Sequence, residues 1–319
     1  MKSLKGKFDA LVQRVVGINI LSFKPVAKIL QITKRITIPG FDGLPIYDVA
    51  RFFFKGISRG FIAPRASSIA FSFFLALFPM IIVFFTLIPF VPVNNFQELL
   101  LIFINNIIPD QAEPFIYSTL IDIIQRPRGQ LLSLSFVLAI IFATNGISSI
   151  IEAFDSTYHT MESRSWIKQK LISILLFFII SFILIISIVL LTTSSYLLDF
   201  LVERKILTSQ ITVYLLIVGK WIILIAMFFF TISFIYYLGP AKSIKFRFIS
   251  AGSSLATALT LIATLGFNFY VSNFSSYNAL YGSIGTLLIV LIWIYFNAII
   301  LLVGFELNAS IHTARKGKL

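Results

Sequence analysis

Seven side chains capable of chemistry stand inside or beside long apolar runs: Arg65, Asn145, Lys220, Thr257, Thr260, Asn268 and Glu306. Glu306 leads them. A carboxylate in the last turn of an apolar helix is costly unless it is paired or wet, and it faces the unfavourable negative end of that helix's dipole. Proton coupling or gating of a substrate is one role for it, and an ion pair with a Lys or Arg that fixes helix packing is the other. Lys220 stands beside Trp221, where its stem can snorkel to headgroups or its ammonium can meet an anionic substrate. Arg65 precedes an apolar run and is placed to bind a phosphate, of lipid or of substrate. Gly252, Ser253, Ala256, Thr257, Thr260, Ala263, Thr264 and Asn268 form a small and polar stripe. Such a stripe allows close helix packing or lines a hydrophilic cavity. Asn145, Tyr270 and Asn297 each need a partner in hydrocarbon.

Chemistry of the soluble kind has no footing here. The chain contains no cysteine and two histidines, His159 and His312, so thiolate and histidine-rich metal centres are not expected, nor is any cofactor. Phosphate loops of the Gly-x-x-x-x-Gly-Lys-Ser/Thr type, His-Glu-x-x-His zinc helices and Gly-x-Ser-x-Gly elbows do not occur. The 13 acids are scattered, whereas a hydrolase of nucleic acid would need them clustered as metal ligands or as an acid–base pair. The expectation is a protein that is not an enzyme.

The elements that position these residues are set by composition. Of the 319 residues 58% are hydrophobic and 12% charged, with a mean hydropathy of +0.96, against roughly 25% charged in a soluble domain. The expected fold class is an all-α integral membrane protein of six transmembrane helices, with amphipathic interfacial helices at the N-terminus and in the first outer loop. The spans fall at about 66–91, 131–151, 171–197, 218–238, 248–271 and 283–306. They form a membrane domain of residues 66–310 between a basic N-terminal region, 1–65, and a basic tail, 311–319.

Pro79 should kink the first span. Leu4, Phe8, Leu11, Val15 and Ile18 recur at helical spacing among basic residues, and Phe52, Phe53, Phe54, Ile57 and Phe61 do so between Tyr47 and Ile62. Both stretches read as helices lying on an anionic surface. Residues 96–108 and 114–125 are too short to cross and are expected to lie on the outer face or dip into it, with a re-entrant pair as the alternative. Lys220 should confine the fourth crossing to Trp221–Leu238, with Ile211–Gly219 as an interfacial helical lead-in, and residues up to Gly282 should form a loop before the last span.

A net charge of +13 is explained by lysines and arginines flanking the spans, so the expected partners are membrane lipids with anionic headgroups rather than nucleic acid. Twelve Lys/Arg precede the first span and nine more follow spans two, four and six, against four on the other side. The positive-inside rule then places both termini in the cytoplasm.

Arg65-Ala66-Ser67-Ser68-Ile69-Ala70-Phe71 leading to Ala76-Leu77-Phe78-Pro79, then Tyr237-Leu238-Gly239-Pro240 and Gly252, resemble the YihY/BrkB family of bacterial inner-membrane proteins, once described as ribonuclease BN. The likeness is strongest from Tyr277 through Tyr281-Gly282-Ser283-Ile284-Gly285 to Gly304-Phe305-Glu306-Leu307-Asn308-Ala309, and covers about residues 60–315. Two positions depart from the pattern: Phe305, where a small residue is usual, and Asp155, where Asn is common. The resemblance implies six spans, cytoplasmic termini, a plasma-membrane location and a role in export or lipid transport. A transporter of a lipid, amphiphile or small solute without its own nucleotide site is the first expectation. A non-catalytic scaffold or envelope-assembly factor is the second.

Overall fold

The computed structural model describes residues 36–37, 40–87, 129–157, 160–161, 164–204, 210–241, 248–273 and 276–316. Among them are seven helices: α1 (Ile46–Arg59), α2 (Ile62–Leu87), α3 (Gly129–Asp155), α4 (Trp166–Glu203), α5 (Gln210–Leu238), α6 (Ala251–Asn273) and α7 (Ser276–Lys316). α2 to α7 are each long and apolar enough to cross a bilayer. The chain is a multi-pass, all-α membrane protein. A two-residue antiparallel ladder, Ser156–Thr157 with Thr160–Met161, closes the turn after α3. The expected helices at residues 4–18, 96–108 and 114–125 lie outside the described residues.

α1 begins after Pro45, which sits in extended backbone at φ −61° and ψ 143°, and carries Asp48 in its first turn, where a carboxylate suits the positive end of the dipole. It ends at Gly60. Its apolar face docks less on lipid than on the chain itself. Val49 is buried and, with Phe52 and Phe53, packs against Leu307, Ile311 and Ala314 of α7. Phe54, on the other side, stays 67% exposed.

Most of the helices run beyond the expected span bounds. α2 starts at Ile62, with Pro64 in the first turn, where the missing N–H breaks no helical bond, and it runs on past the buried Pro79. α5 is one helix from Gln210, which carries the expected helical lead-in Ile211–Gly219 and the expected crossing on a single backbone ladder. α7 is helical from Ser276, so the approach to the last span is not a loop. Gly282 and Gly285 each cost only about 1 kcal/mol of helix propensity, too little to break 41 residues.

The core is built by α2, α3, α5, α6 and α7. Ala66, Ile69, Ile150, Phe154, Ile232, Tyr236, Ala256, Leu302 and Phe305 form its main buried cluster. A smaller cluster of Ile147, Ile151 and Leu176 attaches α4. The core lies toward the end of the bundle at which α2 begins and α7 ends, here called the proximal end.

Candidate functional site

Near the proximal end, residues 304–311 of α7 are buried, and the helix runs on to Lys316, so Glu306 stands about three turns inside it rather than in the last turn as expected. Glu306 has no exposed surface, and its carboxylate lies against α1 at Gly56. A Cβ at Gly56 would collide with Glu306 Oε1 and come within 2.6 Å of its Cδ, so glycine is required there by close approach and not by conformation. Arg65, in the first turn of α2, lies within electrostatic reach of Glu306. Its guanidinium donates to Gly60 O at 2.8 Å and also to Ala153 O, tying the start of α2 to the end of α3. Two predicted residues, Glu306 and Arg65, are therefore brought together across α1, α2 and α7.

The next turn of α7 caps its neighbour. Asn308 Oδ1 accepts the N–H of Gly252 at 2.8 Å, and its Nδ2 donates to Ser250 Oγ at 2.9 Å. Ser250 and Ser253 meanwhile exchange side-chain to backbone bonds at 3.1 and 3.2 Å in the manner of a capping box. The unsatisfied N–H groups at the start of α6 are thus met in a buried place. Gly252 and Gly304 let α6 and α7 approach backbone to backbone: a Cβ at Gly304 would lie 2.7 Å from Gly252 O and 2.8 Å from Ala256 Cβ.

Opposite them, Tyr236 of α5 donates its hydroxyl to Leu301 O at 2.6 Å. Phe305 stacks on Phe154, with centroids 4.0 Å apart and planes at 8°. The end of α5 is closed by Arg164, whose guanidinium donates to Leu238 O and Ala241 O at 3.3 Å each and to Pro240 O. Asp155 Oδ1 accepts the Ala241 N–H at 2.8 Å. Burial lowers the affinity of Arg164 for its proton, and Asp155 works in the opposite direction.

Deeper in the bundle, and adjoining this junction through Ala256 and Leu301, is a cavity of about 320 Å³. Ile69, Phe73, Phe228, Ile232, Trp293 and Ala298 supply most of its apolar wall, and Thr231, Thr260 and Asn297 are its polar members. All of these residues belong to spans, so the cavity lies at membrane depth. Thr231 and Asn297 each bond a carbonyl one turn back in their own helix, at 3.0 and 2.8 Å.

The remaining predicted residues are spread out. Thr260 lines the cavity. Thr257 is buried and donates to Ser253 O at 2.8 Å, so at that position the stripe serves close packing. Asn145 lies on the surface of α3 and accepts from Lys170 Nζ at 2.5 Å. Lys220 and Asn268 stand toward the other end of α5 and α6, half-exposed and exposed, and neither lines the cavity.

Sequence reasoning missed Gly56, Asn308, Tyr236, Arg164 and the pairing of Gly252 with Gly304. The isolated glycine inside the amphipathic α1 was a readable signal of close approach. The partners of Arg164 and Asn308 were not readable, being groups more than 50 residues away.

The structure explains both departures from the family pattern, because Phe305 fills a place against Phe154 and Asp155 still accepts a hydrogen bond. The decisive observation is a match of the sequence pattern described as Virulence factor BrkB to residues 53–319, which span every described helix except the start of α1. The chain belongs to the BrkB family. YfkH of Bacillus subtilis strain 168, whose name calls it ribonuclease-like, is 29% identical over 252 residues, 79% of this chain and 90% of the relative. The UPF0761 membrane protein NTHI0384 of Haemophilus influenzae strain 86-028NP is 26% identical over 81% of this chain and 93% of its own length. A longer relative in Xanthomonas campestris pv. campestris strain B100, also called a UPF0761 membrane protein, is 25% identical over 83% of this chain and 61% of itself. The UPF0761 names state a membrane location and no catalysis. No solved structure matches the chain.

Proposed function

We propose that this BrkB-family protein is a non-enzymatic transporter of a lipid or other amphiphile, residing in the bacterial plasma membrane with both termini cytoplasmic. The observation that carries the reading is the cavity at membrane depth. It is apolar enough for a hydrocarbon chain, and its few polar groups, Thr231, Thr260 and Asn297, can meet a headgroup or ester in passage. A small hydrophilic solute would find too few partners there. The excess of basic residues at the proximal end supports the orientation. No phosphate-binding loop occurs in the sequence, which favours movement down a gradient or coupled to one.

The test is reconstitution of the full chain into proteoliposomes carrying fluorescent phospholipid, with exchange between leaflets followed by chemical quenching. Faster exchange than in empty vesicles is expected, and it should fall when Thr260→Phe fills the cavity. Exchange at the rate of empty vesicles, with and without ion gradients, overturns the reading.

One observation favours the alternative of a scaffold. Asn308, Arg164 and Asp155 are spent on capping helices, as suits a rigid assembly platform.

A further inference from the structure

On the outer side of α3 and α4 at the proximal end is a second hollow of about 220 Å³, and it is unlike the first. Asn145, Ser148 and Glu152 of α3 face Trp166, Gln169 and Lys170 of α4 across it. Its charges are one cation and one anion. Gln169 Nε2 donates to Glu152 Oε1 at 2.9 Å, which leaves Oε2 available. Lys170 Nζ donates to Asn145 Oδ1 at 2.5 Å, which leaves two of its three protons. The floor is fixed by Ser148 Oγ and Ser173 Oγ, 2.8 Å apart.

Its setting is a lipid-facing one. One and two turns from Asn145 toward the bundle centre, Ile141 and Leu138 are 45% and 37% exposed, and Phe178 on α4 is 60% exposed. Trp166 is 76% exposed at the outer rim, as befits a membrane interface. Asn145 lies seven residues, about 10 Å, further in than Glu152. A lysine held at that depth beside apolar surface is costly without an anionic partner.

We propose that this hollow binds the headgroup of a zwitterionic aminophospholipid of the phosphoethanolamine kind. Its phosphate meets Lys170, its primary ammonium meets Glu152, and its acyl chains lie along Ile141, Leu138 and Phe178. The charges are complementary in order as well as in number. A primary ammonium can donate to Oε2 of Glu152 and to neighbouring hydroxyls, which a quaternary choline cannot. A phosphoglycerol headgroup leaves Glu152 facing no cation. The hollow, at about 220 Å³, is roomy enough to take a small zwitterionic headgroup while its acyl chains stay outside. The site is separate from the central cavity and stands whether or not the protein moves lipid.

The test is native mass spectrometry of the delipidated full chain with equimolar phosphatidylethanolamine, phosphatidylcholine and phosphatidylglycerol of identical acyl chains. Retention of phosphatidylethanolamine about tenfold above the other two is expected, the scale of one charge-assisted hydrogen bond. Glu152→Gln should bring phosphatidylethanolamine down to the level of phosphatidylcholine, and Lys170→Gln should weaken all three. Lys168→Gln, on the same helix but outside the hollow, should leave the preference intact. Equal retention of the three lipids, an ethanolamine preference that survives Glu152→Gln, or a preference for phosphatidylglycerol overturns the assignment. So does displacement of the lipid by glycerophosphoethanolamine at equal concentration, which would mark a site for a free phosphoester.

Discussion

The two ends of the packed core are made in opposite ways. At the proximal junction, polar groups are spent on one another or on main-chain carbonyls and amides, and glycines bring backbones into contact. One to two turns deeper, the same helices leave an open volume, in which Thr231 and Asn297 bond carbonyls of their own helices and Thr260 joins them on the wall. The junction is a lock and the cavity is space. That difference separates residues that hold the bundle together from residues free to meet a ligand. Glu306, the side chain with the strongest chemistry, falls on the locked side.

Removing charge from the lock should have the largest effect. Glu306→Ala removes the fully buried carboxylate within electrostatic reach of Arg65, and truncating an enclosed side chain of this size costs roughly 2–5 kcal/mol. The midpoint of denaturant unfolding in mixed micelles should fall accordingly, and Glu306→Gln, which keeps the shape, should recover part of the loss. A Glu306→Ala protein with wild-type unfolding and no lipid exchange would move Glu306 out of the lock and into transport.

Gly252→Ala tests the same region through shape alone. The added methyl meets the carbonyl of Gly304 and comes within 2.6 Å of Asn308 Cγ, and backbone cannot swing aside as a side chain can. Overpacking of this kind costs about 1–3 kcal/mol. Gly266→Ala is the control: nothing stands within 4 Å of a Cβ there, so its unfolding midpoint should not fall. Equal midpoints for the two variants would show that α6 and α7 are not locked where they cross.

Asn308→Ala should cost about 1–2 kcal/mol, the scale of a lost helix cap, because it strips an acceptor from the start of α6. Hydrogen exchange should rise first at the amides of Gly252 and its neighbours, and an unchanged exchange rate there would refute the capping role.

How much of this was legible in the sequence depends on the range of the physics. Hydrophobic run length is a local property, and it marked out six crossing helices. The end of a run is weaker information. The Ser276–Gly282 stretch lowers hydropathy without breaking the hydrogen-bond ladder, so α7 extends beyond the expected limit. The candidate residues divide in the same way. Glu306 stood out because a carboxylate in an apolar helix is anomalous by itself. Arg164 looked like one more cation in a basic loop, since its role depends on carbonyls 74 to 77 positions away. The stripe on α6 could pack or line a cavity, and only the neighbouring helices separate buried Thr257 from cavity-lining Thr260.

That separation gives the smallest expected effect on stability and the sharpest on function. Thr260 is partly exposed and faces open volume, so Thr260→Phe can place its ring in the cavity instead of driving helices apart. The burial of additional apolar surface should leave the unfolding midpoint level or slightly raised. Lipid exchange in proteoliposomes should drop steeply. Thr257→Phe, one turn less one residue away but buried at 6% exposure, has no such room and should destabilise like any overpacked core position. If Thr260→Phe instead unfolds the protein as readily as Thr257→Phe, the cavity is only a packing gap. If it leaves both stability and exchange unchanged, lipid does not pass this way and the scaffold reading gains ground.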